Sequence, residues 1–434
     1  MKNQVRSNRN AGIIKQMIDW IVIIIEISYH LSFVASFSLY LIPVNGNFLL
    51  FSLVLFLHLI RFGLKFKLLQ LVPKNTILVI FVLIYLFDFL QYTFIHDPLY
   101  APLILLLNML VFMSYLYNMY EDAIKVQHVP FVKYTAPFIG YSVYNIIVIV
   151  ILAILIIFTG ASYEQNPISQ DDPMISGRYD WAMQTFFPYH LCIAMNYHDG
   201  INLLGIPVLT GLSHEPHVIM FLIMPAWMFI FATDIKYYLK TIISIIYLFV
   251  LIETTSTTAI LCFGVILLVE TLWKSRQKRT WKVVIVVVSV YMVTFFDGIM
   301  TLVSYKLSGV DGSSGTSTSM LEYLVSFDGI FGEGNWPTKY GEQLKNSSAG
   351  IVTGILDATL YLYILCTALR FTNSRNSMTH YLGLGCLYFT LHGIKTNYLM
   401  VAYPYLAYMF FLLFLMRIYE KRHKSCVTQF SNHA

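Results

Sequence analysis

The chain has 434 residues, of which 57% are hydrophobic and 12% charged, with a formal net charge of +5. So low a charged fraction excludes a chain that folds mainly in water, since an average soluble domain is about one quarter charged. The positive excess bears on orientation in a membrane more than on ligands, and no nucleic-acid partner is expected.

Taken in chain order, apolar runs fall near residues 19 to 43, 47 to 60, 75 to 94, 99 to 119, 135 to 160, 215 to 233, 237 to 252, 255 to 273, 282 to 304, 349 to 369, 379 to 394 and 398 to 416. Each is read as a helix, because a helix satisfies its own backbone hydrogen bonds in hydrocarbon. The start, MKNQVRSNRN, places Lys2, Arg6 and Arg9 ahead of an apolar run with no small-residue cleavage site, the pattern of an uncleaved signal anchor. With the N-terminus cytoplasmic, only Arg178, Lys306, Lys339, Lys345 and Lys395 of the 28 lysines and arginines fall on the outer side, as the positive-inside rule requires. The expected fold is therefore an all-α integral membrane protein, a single polytopic domain over 1–434 with about twelve transmembrane helices and both ends inside. Glu253 and TTSTT lie between the seventh and eighth runs, so that pair is either two spans or one broken, re-entrant element.

Two outer segments stand out by length, 161 to 214 and 305 to 348. The first contains YDWAMQTFFPYHLCIAM, read as a short amphipathic helix at the interface, and the second opens with the flexible SGVDGSSGTSTSM. No internal repeat is visible. The five cysteines share no single aqueous side in sufficient number to form a disulfide framework.

The most informative stretch is Gly211-Leu212-Ser213-His214-Glu215-Pro216-His217, where the first long segment re-enters the membrane. Three readings stand at this point. Ser213 as N-cap, with Glu215 and Pro216 in the first turn, makes it a helix start. Glu215, partly desolvated there, is a candidate general base with His214 beside it. His190, His198, Asp199, His214 and His217 supply metal-ligand types, but HEPH is not the HExxH spacing of zinc proteases and no metal is expected.

A second cluster, Gly332-Glu333-Gly334-Asn335-Trp336, is either a surface turn or a place where backbone amides approach an anion, and Lys339 and Lys345 follow it. Outer cations are so few that each is a candidate for an anionic group. Arg178 offers a bidentate fork, Lys306 and Lys395 point charges, and His392 lies three residues from Lys395 on one helical face. Snorkelling of Lys395 is the structural alternative. Within the apolar runs Asp19, Glu26, His30, Asp88, Glu253, Glu270, Asp297 and Asp357 are ionisable and costly at depth unless they face protein. Glu270 and Asp297 are expected at interfaces, and Glu26 with His30 as a buried contact.

Four features in order, GLSHEPHVIMFL, TSTTAILCFGVILL, the FGEGN turn and NSSAGIVTGILDATLYLYIL, resemble the bacterial Wzy-type polysaccharide polymerase and O-antigen ligase superfamily over residues 200 to 416. The resemblance implies an inner-membrane glycosyltransferase that takes an oligosaccharide linked through pyrophosphate to a polyprenol and transfers it to an acceptor sugar of the growing polysaccharide. No cofactor is implied, and a chain-length regulator is a further partner of such enzymes. Carried over, Glu215 is the candidate base. Arg178, Lys306, Lys339 and Lys395 are candidates for the pyrophosphate, with His392, His217 and Asn335 beside them. Family members often place an arginine shortly before the Glu-Pro pair; PVLTGLS has none, so Arg178 or His214 would stand in for it. Two other functions remain open: a flippase or exporter of the same lipid-linked sugars, which would be expected to have short outer loops and a cationic central cavity, and a ligase delivering finished glycan to another acceptor.

Overall fold

The computed structural model describes residues 2–29, 46–63, 83, 100–125, 131–159, 164–165, 183–186, 193–196, 208–209, 211, 216–254, 256–277, 355–393, 408–417 and 419–420. These residues are mostly helical. Four helices come first: α1 (Lys2–Tyr29), α2 (Gly46–Phe62), α3 (Tyr100–Lys125) and α4 (Phe131–Thr159). After a small sheet follow α5 (Pro216–Phe231), α6 (Tyr237–Glu253), α7 (Thr257–Gln277), α8 (Ile355–Thr372), α9 (Ser377–Gly393) and α10 (Tyr408–Arg417). Among the described residues helices thus occupy the expected apolar runs; 30–43, all but Leu83 of 75–94, 282–304, 349–354 and 398–407 lie outside them. The first helix begins earlier than its apolar run, at Lys2, and the pair around TTSTT is two helices, α6 and α7. Among the described residues one stretch, Tyr134–Thr159, is by length and composition long and apolar enough to cross a membrane; shorter apolar helices run Ser52–Phe62, Ile219–Phe231, Leu362–Thr372 and Tyr408–Arg417.

The all-α expectation is corrected in the first long outer segment. Four short strands, β1 (Glu164–Gln165), β2 (Met183–Phe186), β3 (Ile193–Asn196) and β4 (Val208–Leu209), form an antiparallel sheet in the order β1-β2-β3-β4. Where the stretch YDWAMQTFFPYHLCIAM was expected to form an amphipathic helix, its described residues are the paired strands β2 and β3, with Met183 opposite Asn196 and Phe186 opposite Ile193. A proline at 188 disfavours one continuous helix through this sequence, since it lacks an N–H and restricts the residue before it, whereas paired strands satisfy each other's backbone groups.

Contacts divide the chain into two compact units, one of residues 1–67, 107–260 and 401–434, the other of 68–106 and 261–400. In the first, α5 is the central helix, buried on every face from Ile219 to Ile230. A helix apolar all round has no solvent side and belongs in a core. It runs antiparallel to α4, since the Phe138 and Phe229 rings meet at 5.7 Å while the Ser142 hydroxyl donates to the Ile223 carbonyl at 3.2 Å. That hydroxyl also lies 2.7 Å from Tyr247 on α6, which must therefore be the donor. Trp227 stacks on Tyr247 at 5.3 Å and donates its indole N–H to Ser244 at 3.0 Å, so α4, α5 and α6 are locked at one level. At the other end of α5, the Lys240 ammonium donates to the Phe231 and Thr233 carbonyls that the helix terminus leaves over.

The outer faces of these helices invert the usual pattern. On α4, Tyr144, Ile147, Ile151, Ile154 and Phe158 are exposed at spacings of three and four, one continuous face, with Phe158 81% exposed. The same holds for Ile242, Ile245, Leu248 and Ile252 on α6 and for Leu261, Val265, Leu268 and Leu272 on α7.

In the second unit α8 and α9 form a tight hairpin. Asn376 ends the connection by accepting from the amides of Met378 at 2.9 Å and Thr379 at 3.4 Å, an N-cap that starts α9. The helices then approach so closely that a methyl group on Gly383 would lie 2.9 Å from the Phe371 Cβ and from the Thr372 amide nitrogen. Gly383→Ala must push α8 away, and we expect a loss of about 1–3 kcal/mol, read as a lowered melting temperature of the purified protein.

Candidate functional site

The segment that leads into α5 is built from its anchors upward. The amide of Leu209 in β4 donates to Glu253 Oε1 at 2.7 Å, and both residues are fully buried. Two residues later Gly211 turns with φ of +60°, the left-handed region that side chains resist. There is a second reason for glycine: a Cβ at this position would sit 2.7 Å from Asn145 Oδ1 on α4. Asn145 is itself buried and oriented by its own amide, which donates to the Tyr141 carbonyl at 2.9 Å. The helix then starts at Pro216, the first-turn place that proline tolerates, with the His217 backbone in the same turn. Leu212, Ser213, His214 and Glu215 lie outside the described residues, but both flanks of this short segment are held by buried contacts.

Depth follows from the helix pairing. Ser142 and Ile223 are level, and α5 and α6 end about 10 Å from that level, at Pro216 and Glu253, whereas α4 runs on about 25 Å to Thr159 at 1.5 Å per residue. The entry to α5 is thus recessed by about 15 Å relative to the end of α4. Along that overhang Ala153 is buried, while Ile151, Ile154 and Phe158 are exposed.

The other expected site residues separate into two groups. Arg178, Lys306, Asn335, Lys339 and Lys395 lie outside the described residues, as do His190, His198 and Asp199. His392 is described and fully buried in the last turn of α9, its ring stacked on Tyr388 at 5.6 Å. Among the described residues no three side chains of metal-ligand type come together.

Two polar networks were not legible in the spacing. In the first unit the buried Asp19 of α1 accepts from Arg61 Nε on α2 at 3.0 Å and from the Tyr115 hydroxyl on α3 at 2.5 Å. Arg61 also reaches Asp122 at 2.9 Å, so one guanidinium ties three helices, and it rests over the Phe62 ring at 4.1 Å. In the second unit Glu270 of α7, expected at an interface, is bound from α9 by His380 Nε2 at 2.6 Å and the Tyr381 hydroxyl at 2.8 Å, and by Lys274 at 2.7 Å. His380 Nδ1 donates to the Thr372 carbonyl at 2.6 Å, and the ring stacks on Trp273 at 3.9 Å. Glu253 and Asn145 were missed as site residues as well. A carboxylate at the end of an otherwise apolar helix was the available signal for the first.

No family model, curated protein or solved structure matches this chain.

Proposed function

We propose that this chain is a multi-pass protein of a bacterial cytoplasmic membrane, with about twelve spans and both ends inside, that polymerises polyprenyl-pyrophosphate-linked oligosaccharide repeats into surface polysaccharide at the outer face. The uncovered apolar faces of α4, α6 and α7 support the membrane part of this reading, because in water each stripe would expose branched aliphatic side chains turn after turn. One observation carries the catalytic part: the segment with His214 and Glu215 joins the central buried helix about 15 Å short of the end of α4. A base held on a locked frame below the lipid-facing end of α4 suits a donor whose tail stays in the bilayer while its sugar reacts.

In the reaction the acceptor hydroxyl attacks the anomeric carbon, its proton passes to the Glu215 carboxylate, and the bond to the pyrophosphate oxygen breaks. Polyprenyl pyrophosphate leaves with the bonding pair. Arg178, Lys306, Lys339 and Lys395 are the candidates for the leaving group's charge, with His217 and Asn335 for the glycan, whereas the fully buried His392 has no surface to offer it.

Gel analysis of surface polysaccharide tests this. In cells lacking the protein, single capped repeats should persist while the ladder of longer chains vanishes. The wild-type gene should restore the ladder, and Glu215→Gln should not, with a loss of at least about a hundredfold for a general base. Accumulation of lipid-linked repeats on the cytoplasmic side would make the protein a flippase. Finished polymer that fails to reach its acceptor would make it a ligase.

A further inference from the structure

We infer that Glu253 is a positioning residue: its buried carboxylate, by accepting from the Leu209 amide, fixes the end of β4 from which the chain runs through Gly211 to α5. The inference rests on the proposed function for its consequence but not for its geometry. Three observations converge on it. A buried carboxylate is expensive, and here it spends an oxygen on a backbone amide at 2.7 Å, 44 residues away in sequence, when a neutral side chain would have sufficed for packing. Gly211 then fits against Asn145 with no room for a methyl group, so Leu209 is held from α6 and Gly211 meets α4 two residues later. These helices are the ones locked to α5 through Ser142, Tyr247 and Trp227. Any shift of the strand end relative to that frame is passed to the residues before Pro216, which include the candidate base. Placement errors of about 1 Å in a reacting group cost on the order of a hundredfold in rate, so a side chain that never meets substrate can still govern turnover.

The test uses the full-length chain in cells lacking their own copy, with polymer read on gels and the segment read separately. For the second readout Leu212→Cys is placed in a chain carrying Cys192→Ser, and labelling by a membrane-impermeant maleimide is timed. Glu253→Leu removes the acceptor. It should raise or lower the labelling rate by about tenfold and reduce polymer by about tenfold or more, at an unchanged amount of membrane-inserted protein. Glu253→Gln keeps an acceptor oxygen at the same reach and should restore both readouts to near the wild-type level. Where Glu253→Leu fails to accumulate, Glu253→Ala carries the same comparison. Unchanged labelling in the acceptor-less variants overturns the inference, as does wild-type polymer from them or a Gln variant as defective as Leu. Failure of the wild-type gene to restore a ladder sinks the polymerase reading instead, and the labelling rates then decide the positioning role alone.

Discussion

Arg61→Ala is expected to cost roughly 3–5 kcal/mol of stability, because it strips a buried carboxylate of its cation. Asp19 is 1% exposed and Arg61 8% at the side chain, so water cannot take over the charge. The Tyr115 hydroxyl would remain as a donor, but a neutral hydrogen bond does not balance a full charge in that environment. Asp122, with its side chain 48% exposed, contributes at most about 1 kcal/mol of the loss. The cost thus falls on the α1–α2 pair. Thermal unfolding of the detergent-purified protein measures it, and a double variant separates the causes. Asp19→Leu combined with Arg61→Leu removes both charges and should recover well over half of the loss, since a buried ion pair is often no better than apolar residues of similar size. A double variant as unstable as Arg61→Ala would mean that the guanidinium acts through its packing on Phe62 and not through its charge.

Arg61 also illustrates what the sequence could and could not say. It counted as one more inward-facing cation in the charge asymmetry, a role that needs only its place between two apolar runs. Its pairing with residues 42 and 61 positions away leaves no local pattern. The same division holds across the molecule. Apolar runs are a local signal, and among the described residues helices stand where those runs lie. The pairing of β2 with β3 had one local signal against a helix, the proline at 188 in the sequence between them, and the aromatic and apolar content of the stretch outweighs it in a reading by composition. The frame of the candidate site lies beyond local reading altogether. Glu253 looked like a break between two helices, which it is, yet its partner is an amide in a strand that the sequence did not announce. Gly211 was noticed as part of a motif, whereas its reason, the approach of Asn145, comes from a helix 66 residues earlier in an apolar run where an asparagine carries no spacing signal.

Gly211→Ala is the second large effect expected, about 2–5 kcal/mol, and it is the sum of two costs that can be taken apart. A side chain at φ of +60° costs about 1–2 kcal/mol through the clash of Cβ with the following carbonyl, whatever surrounds it. The added methyl group would also lie 2.7 Å from Asn145 Oδ1, inside any real contact, and relief by rotation of Asn145 gives up its hydrogen bond to the Tyr141 carbonyl; this packing part costs about 1–3 kcal/mol. Combining Gly211→Ala with Asn145→Ala removes the obstruction and leaves the backbone strain. The double variant should therefore melt above Gly211→Ala alone but below Asn145→Ala alone, by about the backbone cost. In cells both variants carrying Gly211→Ala should lose polymer, because the strained turn is two residues past the Leu209 anchor and directly precedes the segment with Glu215. If relief of the packing restored polymer completely, the left-handed turn would have no part in placing that segment, and glycine at 211 would answer only to the nearness of α4.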